Sequence, residues 1–98
     1  MIYVFATLTI KPGALDHLRA PARACREATL KEDGCIAYDL HADIANPERL
    51  VFVEKWETRE ALSVHAKSAH VAAWREASAP HLIERKIEIV HPEKVENH

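Results

Sequence analysis

The spacing of hydrophobic residues switches between a period of two and a period near 3.6 in a fixed order along this chain, and that order admits few folds. Met1 to Ile10 is dense in β-branched and aromatic residues and stops at Lys11-Pro12-Gly13, so it reads as a strand ending in a turn. Ala14 to Asp33 sets Leu15, Leu18, Ala22, Cys25 and Thr29 three and four apart on one helical face, with Gly34 in the place of a C-terminal glycine. Pro21 within that stretch has no amide hydrogen to donate, which predicts a kink or a restart at a cost of about 3 kcal/mol. Cys35 to Asp43 alternates, Ala45-Asn46-Pro47-Glu48 turns, and Arg49 to Glu57 alternates again, so these two runs form a hairpin. Thr58 is placed to cap a short helix through His65, and Ser68 to cap a second segment running to about Ser78, which Pro80 ends. Ile83 to His91 is a last strand, and Pro92 to His98 is a polar tail expected to fray.

The order is β-α-β-β-α-β, the split βαβ or ferredoxin-like plan: an α+β domain with an antiparallel four-stranded sheet. Its helices cover one face of such a sheet, so the other face should alternate to polar residues if it is solvated. It does not. The third strand offers Leu50, Phe52 and Trp56 on one side and Val51 and Val53 on the other. A second copy of the sheet is the simplest cover, which makes a homodimer the expectation.

With 98 residues, the chain is expected to be one domain over 1–98, ordered over about 1–91. The 13 Lys and Arg against 15 Asp and Glu are interleaved, for a formal charge of −2, so no basic stripe supports nucleic-acid binding. No apolar run approaches the ~20 residues that span a bilayer, and the N-terminus reads as a strand instead of a secretion signal; no membrane association is expected. Cys25 and Cys35 form no disulfide framework and point to a reducing cytoplasmic setting. Two glycines in the chain leave no room for a phosphate-cradling loop.

Chemistry can reside in four places. Glu54 shares a face with Phe52 and Trp56, where a carboxylate requires a partner; a cross-strand ion pair and a role in a pocket are both open. His65 ends the short helix where a cleft forms between layers, and its unperturbed pKa near 6.5 suits proton transfer. His70 follows five residues later, which is not the spacing of a helical metal pair, and no acidic or thiol ligand follows at a useful offset, so no metal is expected. Tyr38, Phe52, Trp56 and Trp74 belong to the core and can also line a cavity. Arg75, beside Trp74, forms a surface ion pair or closes the cavity mouth.

The runs Glu32 to His41, Phe52 to Trp56 and Ala61 to His70 carry Gly-x-x-x-Tyr, Glu-x-Trp and His-x-x-Ser-x-His in this order. Together they resemble the antibiotic biosynthesis monooxygenase family, in its quinol-monooxygenase-like branch, over residues 1 to about 90. The resemblance implies a dimeric α+β barrel with a pocket in each subunit, which oxidises quinols or anthrones with dioxygen and no metal, flavin or haem. Carried over by position, Tyr38, Glu54, Trp56, His65 and His70 match the recurrent motif. Haem degradation, known elsewhere in the superfamily, is disfavoured, because the positions of its tryptophan, histidine and asparagine hold His65, Arg75 and Ala6.

On this reading an apolar cavity walled by Leu8, Phe52, Trp56 and Trp74 takes a small aromatic substrate. His65 acts as the base or hydrogen-bond donor, and Tyr38 and Arg75 orient a phenolate oxygen. Two rivals stand beside it: an isomerase acting on a small ketone, which consumes no dioxygen, and a non-catalytic dimer that binds quinones.

Overall fold

The computed structural model describes Met1–His98 and contains β1 (Ile2–Ile10), α1 (Leu15–Thr29), β2 (Cys35–Ala42), β3 (Arg49–Trp56), α2 (Arg59–Ala66), α3 (Ala69–Ser78) and β4 (Leu82–Val90), with a single 3-10 turn at Ala79–His81. The sheet runs β2-β3-β1-β4 with every pair antiparallel, the ferredoxin-like arrangement. Val4 faces Glu54 and Ala6 faces Phe52 across β1 and β3, while Ile89 and Ile87 face the same two β1 residues from β4.

The even residues of β1, from Ile2 to Ile10, are all buried, as are Leu50, Phe52, Glu54 and Trp56 of β3. Period two puts them on one face, and the helices bring Leu18, Ala22, Cys25, Leu62, Val71 and Trp74 down onto it. The opposite face carries Phe5 paired with Val53, and Val51 paired with Thr7, only partly shielded.

Pro21 does not restart the helix. α1 continues through it from Leu15 to Thr29. One hydrogen bond is lost, but Leu18, Ala22 and Cys25 flank the proline on the buried face. Burying a leucine alone is worth about 1.5–3 kcal/mol, enough to offset most of the loss. The helix ends earlier than its periodicity suggests. After Thr29 the chain tightens, Lys31 N–H donating to Ala28 O and Glu32 N–H to Thr29 O, so Gly34 lies in the turn entering β2 and not at the helix end.

Gly34 has φ +83°, and a Cβ there would stand 2.6 Å from the Cβ of Ala61 on α2. Its carbonyl accepts from Glu57 N–H at 2.8 Å. The start of β2 is thus pressed against α2, which carries Glu32 toward the helical layer. Thr58 and Ser68 cap α2 and α3 as expected, accepting from Ala61 N–H and Val71 N–H.

Candidate functional site

A cavity of about 210 Å³ opens between the helical face of the sheet and α2–α3. β1 contributes Val4, Ala6 and Leu8, β2 contributes Tyr38, and β3 contributes Phe52 and Glu54. The helices add Arg59, Leu62, His65, Ala66, Val71, Trp74 and Arg75, and β4 closes one side with Arg85, Ile87 and Ile89. Leu8, Tyr38, Phe52, Glu54, His65, Trp74 and Arg75 therefore meet around one hollow. Trp56 and His70 do not line it. Trp56 has no exposed surface and lies behind the cavity, its ring 4.7 Å from that of His65. A wider hollow between α1 and β2, lined by Leu15, Arg23 and Asp39 among others, contains none of the candidate residues.

His65 is 5% exposed. Its Nδ1 lies 3.2 Å from both carboxylate oxygens of Glu32. A carboxylate accepts, so Nδ1–H donates and the lone pair of the neutral ring resides on Nε2, the nitrogen with no protein partner. Burial lowers the His65 pKa. Glu32 opposes that shift, and the charges of His70 and Arg75 add to it.

The His-x-x-Ser-x-His spacing is a helix junction. His65 stands in the last turn of α2, Ser68 caps α3 and donates through Oγ to His65 O at 2.6 Å, and His70 follows inside α3. His70 Nε2 is sealed from solvent and abuts Glu32 Oε1 without good hydrogen-bond geometry. Glu32, His65 and His70 bring one ligand atom each within 4.8 Å, so these histidines do have an acidic companion, one that precedes them in the chain instead of following.

Glu54 makes no cross-strand ion pair. Trp56 Nε1–H donates to its Oε1 at 3.0 Å, and the carboxyl lines the cavity. Burial pushes its pKa up to about 7, against the pull of the indole hydrogen bond and with a further push from Glu32. Tyr38 presents its ring to the cavity, but its hydroxyl lies 3.7 Å from Cys25 Sγ on α1, so the phenol is not offered to a ligand. Burial raises the pKa of both Tyr38 and Cys25 and keeps them neutral.

Residues 1–77 match the family described as antibiotic biosynthesis monooxygenase. The chain belongs to that family. Within the family it is 29% identical over 103 residues to "Probable quinol monooxygenase YgiN" of Escherichia coli (strain K12), covering 94% of this chain and 98% of that protein. It is 34% identical over 88 residues to Rv0793 of Mycobacterium tuberculosis, covering 90% of this chain and 85% of the relative. The solved structure of Rv0793 superposes with a TM-score of 0.88, at 29% identity in that alignment and 98% coverage of both chains. A conserved protein from Methanosarcina mazei Go1 gives a TM-score of 0.89 at 30% identity, covering 94% of this chain and 92% of its own. No helix is long and apolar enough to cross a membrane.

The sequence reading missed Glu32, Arg59 and Arg85 as members of the site. Arg85, Ile87 and Ile89 were within reach of period-two logic, since they pair with Leu8, Ala6 and Val4. Glu32 had no local signal, because its contact with His65 spans 33 residues.

Proposed function

We propose that this family member oxidises a small aromatic quinol or anthrone-like substrate with dioxygen, without a cofactor, and that His65 is the base. One observation carries the reading: a buried imidazole, lining a cavity of mostly apolar side chains, whose Nδ1 is held by Glu32 and whose Nε2 has no protein partner. A neutral ring of lowered pKa is ready to accept a proton at neutral pH.

For an anthrone, Nε2 takes a proton from the acidic CH₂ carbon, and the carbanion passes one electron to dioxygen. The two radicals combine into a carbon–oxygen bond, and the imidazolium returns its proton to the peroxide. Loss of the remaining hydrogen on that carbon with the distal oxygen releases water and leaves a carbonyl, so one CH₂ and one O₂ become one C=O and one H₂O. The apolar walls keep bulk water from the anion, where fixed dipoles act most strongly. Glu54, with a pKa near neutrality, is a second group on the same cavity able to hold or release a proton.

The active form on this reading is a homodimer. Phe5 is 37% exposed on the uncovered sheet face, beside half-buried Val51 and Val53, and a second copy of that face buries all of them. The two free cysteines suit a cytoplasmic setting. Oxygen uptake by purified, metal-stripped protein across a panel of hydroquinones and anthrones tests the activity. Substrate loss without oxygen consumption would favour a ketone isomerase, and saturable binding without turnover would favour a sequestering protein.

A further inference from the structure

The arginines of this chain divide unevenly. Arg19, Arg26 and Arg49 each face an aspartate, Asp16, Asp39 and Asp43. Arg23, Arg59, Arg75 and Arg85 form no ion pair, and three of these four line the one cavity that holds His65. They come from separate elements: Arg59 from α2, Arg75 from α3 and Arg85 from β4. Arg59 is tethered to Ser63 Oγ at 2.7 Å, one turn along its own helix, which fixes the side chain without neutralising it.

The acidic residue in the lining is Glu54, and its hydrogen bond comes from Trp56, not from a guanidinium. A chain of formal charge −2 thus gathers three arginines without an ion pair, against one carboxyl, around an apolar hollow. Guanidinium groups are planar, always charged, and matched in shape to flat oxyanions. The remaining wall, with Phe52 and Trp74 meeting edge-on at 5.4 Å, suits a flat ring.

We infer that the natural substrate is an aromatic hydroquinone bearing an anionic carboxylate or sulfonate group, its ring against Phe52 and Trp74 and its anion among Arg59, Arg75 and Arg85. This names the substrate class of the reading above and rests on it for the hydroquinone part. A different use of the same charges is to stabilise only the anion formed during reaction, and ligands that are not hydroquinones separate the two.

The probes are 2-naphthol, 6-hydroxy-2-naphthalenesulfonate and 6-hydroxy-2-naphthoate, titrated calorimetrically against the intact protein. The sulfonate or the carboxylate should bind at least tenfold more tightly than 2-naphthol at low ionic strength, and whichever binds tighter identifies the oxyanion. That advantage should shrink as salt is raised. In a triple Arg59→Gln, Arg75→Gln, Arg85→Gln variant the three affinities should converge. Single Arg75→Gln and Arg85→Gln variants, each at an exposed position, give the same readout in part should the triple variant fold poorly. Equal binding of all three probes by the native protein would overturn the inference, as would a preference that survives the arginine substitutions. Because no probe is turned over, a tenfold preference alongside absent oxygen uptake would leave the anion subsite standing and remove the oxygenation reading.

Discussion

Trp56 holds Glu54 from behind the cavity, its indole N–H donating to a carboxyl oxygen two residues away on the same face of β3. This lone hydrogen bond restrains a group whose pKa burial drives from 4.5 up to about 7. The folded chain binds that proton more tightly than the unfolded chain does. Between pH 4.5 and about 7 the native state therefore carries the extra proton, and the contribution of Glu54 to stability falls as pH rises through that window. Ionised Glu54 costs the fold roughly 3 kcal/mol above the window. The lowered pKa of His65 contributes with the opposite sign below pH 6.5, so the native protein is compared with Glu54→Gln by urea denaturation from pH 4.5 to 8: the variant should gain stability relative to the native chain as pH rises and be the more stable of the two at pH 8. A stability difference that does not change with pH would place the carboxyl in a better-solvated site.

Replacing His65 with alanine should lower oxygen-uptake turnover by about 10²–10⁴ if a positioned base is removed. Glu32→Gln should cost less, about an order of magnitude, and should also move the pH profile. Glu32 raises the His65 pKa, so its neutralisation lets burial and the charges of His70 and Arg75 lower it further. The acidic limb of the rate profile then shifts to lower pH. A purely structural Glu32 would reduce activity without moving that limb.

Dialysis against a chelator should leave oxygen uptake unchanged. Loss of activity restored by one divalent metal would instead give Glu32, His65 and His70 a ligating role, with their ligand atoms already within 4.8 Å.

Gly34→Ala should destabilise the fold by about 2–4 kcal/mol, combining a left-handed backbone with overpacking against Ala61. Denaturation midpoints measure it. Ala61→Gly in the same chain should recover the packing part and leave the backbone part, which separates the two causes.

Sedimentation equilibrium should return twice the chain mass of 11.1 kDa at micromolar concentration. Phe5→Lys with Val53→Lys, facing each other across β1 and β3 on the uncovered face, should shift the protein to monomer. A native monomer would mean that this face is solvated as it stands.

The element order was legible because each segment repeats its hydrophobic period several times, and Thr58 and Ser68 announced their helices through capping chemistry. Pro21 does not restart the helix, because a local rule met a buried face strong enough to carry α1 through it. Gly34 was rightly singled out but wrongly explained: its freedom serves a close approach to Ala61, which only tertiary structure shows. Within the site, Phe52, Trp74 and Leu8 followed from alternation and helical spacing. Glu32 did not, since its neighbours arrive from two helices far along the chain, and Arg59 and Arg85 look like any surface arginine until the cavity gathers them.

β4 is an edge strand, bonded to β1 alone, yet it supplies one wall of the hollow through Arg85, Ile87 and Ile89. The Glu32–His65 pair is anchored elsewhere, at the turn into β2 and the end of α2. One part of the size and charge preference can thus diverge among paralogues by substitution along one peripheral strand while the proton-handling apparatus stays untouched, and grafting the β4 sequence of one relative onto another should transplant that part alone.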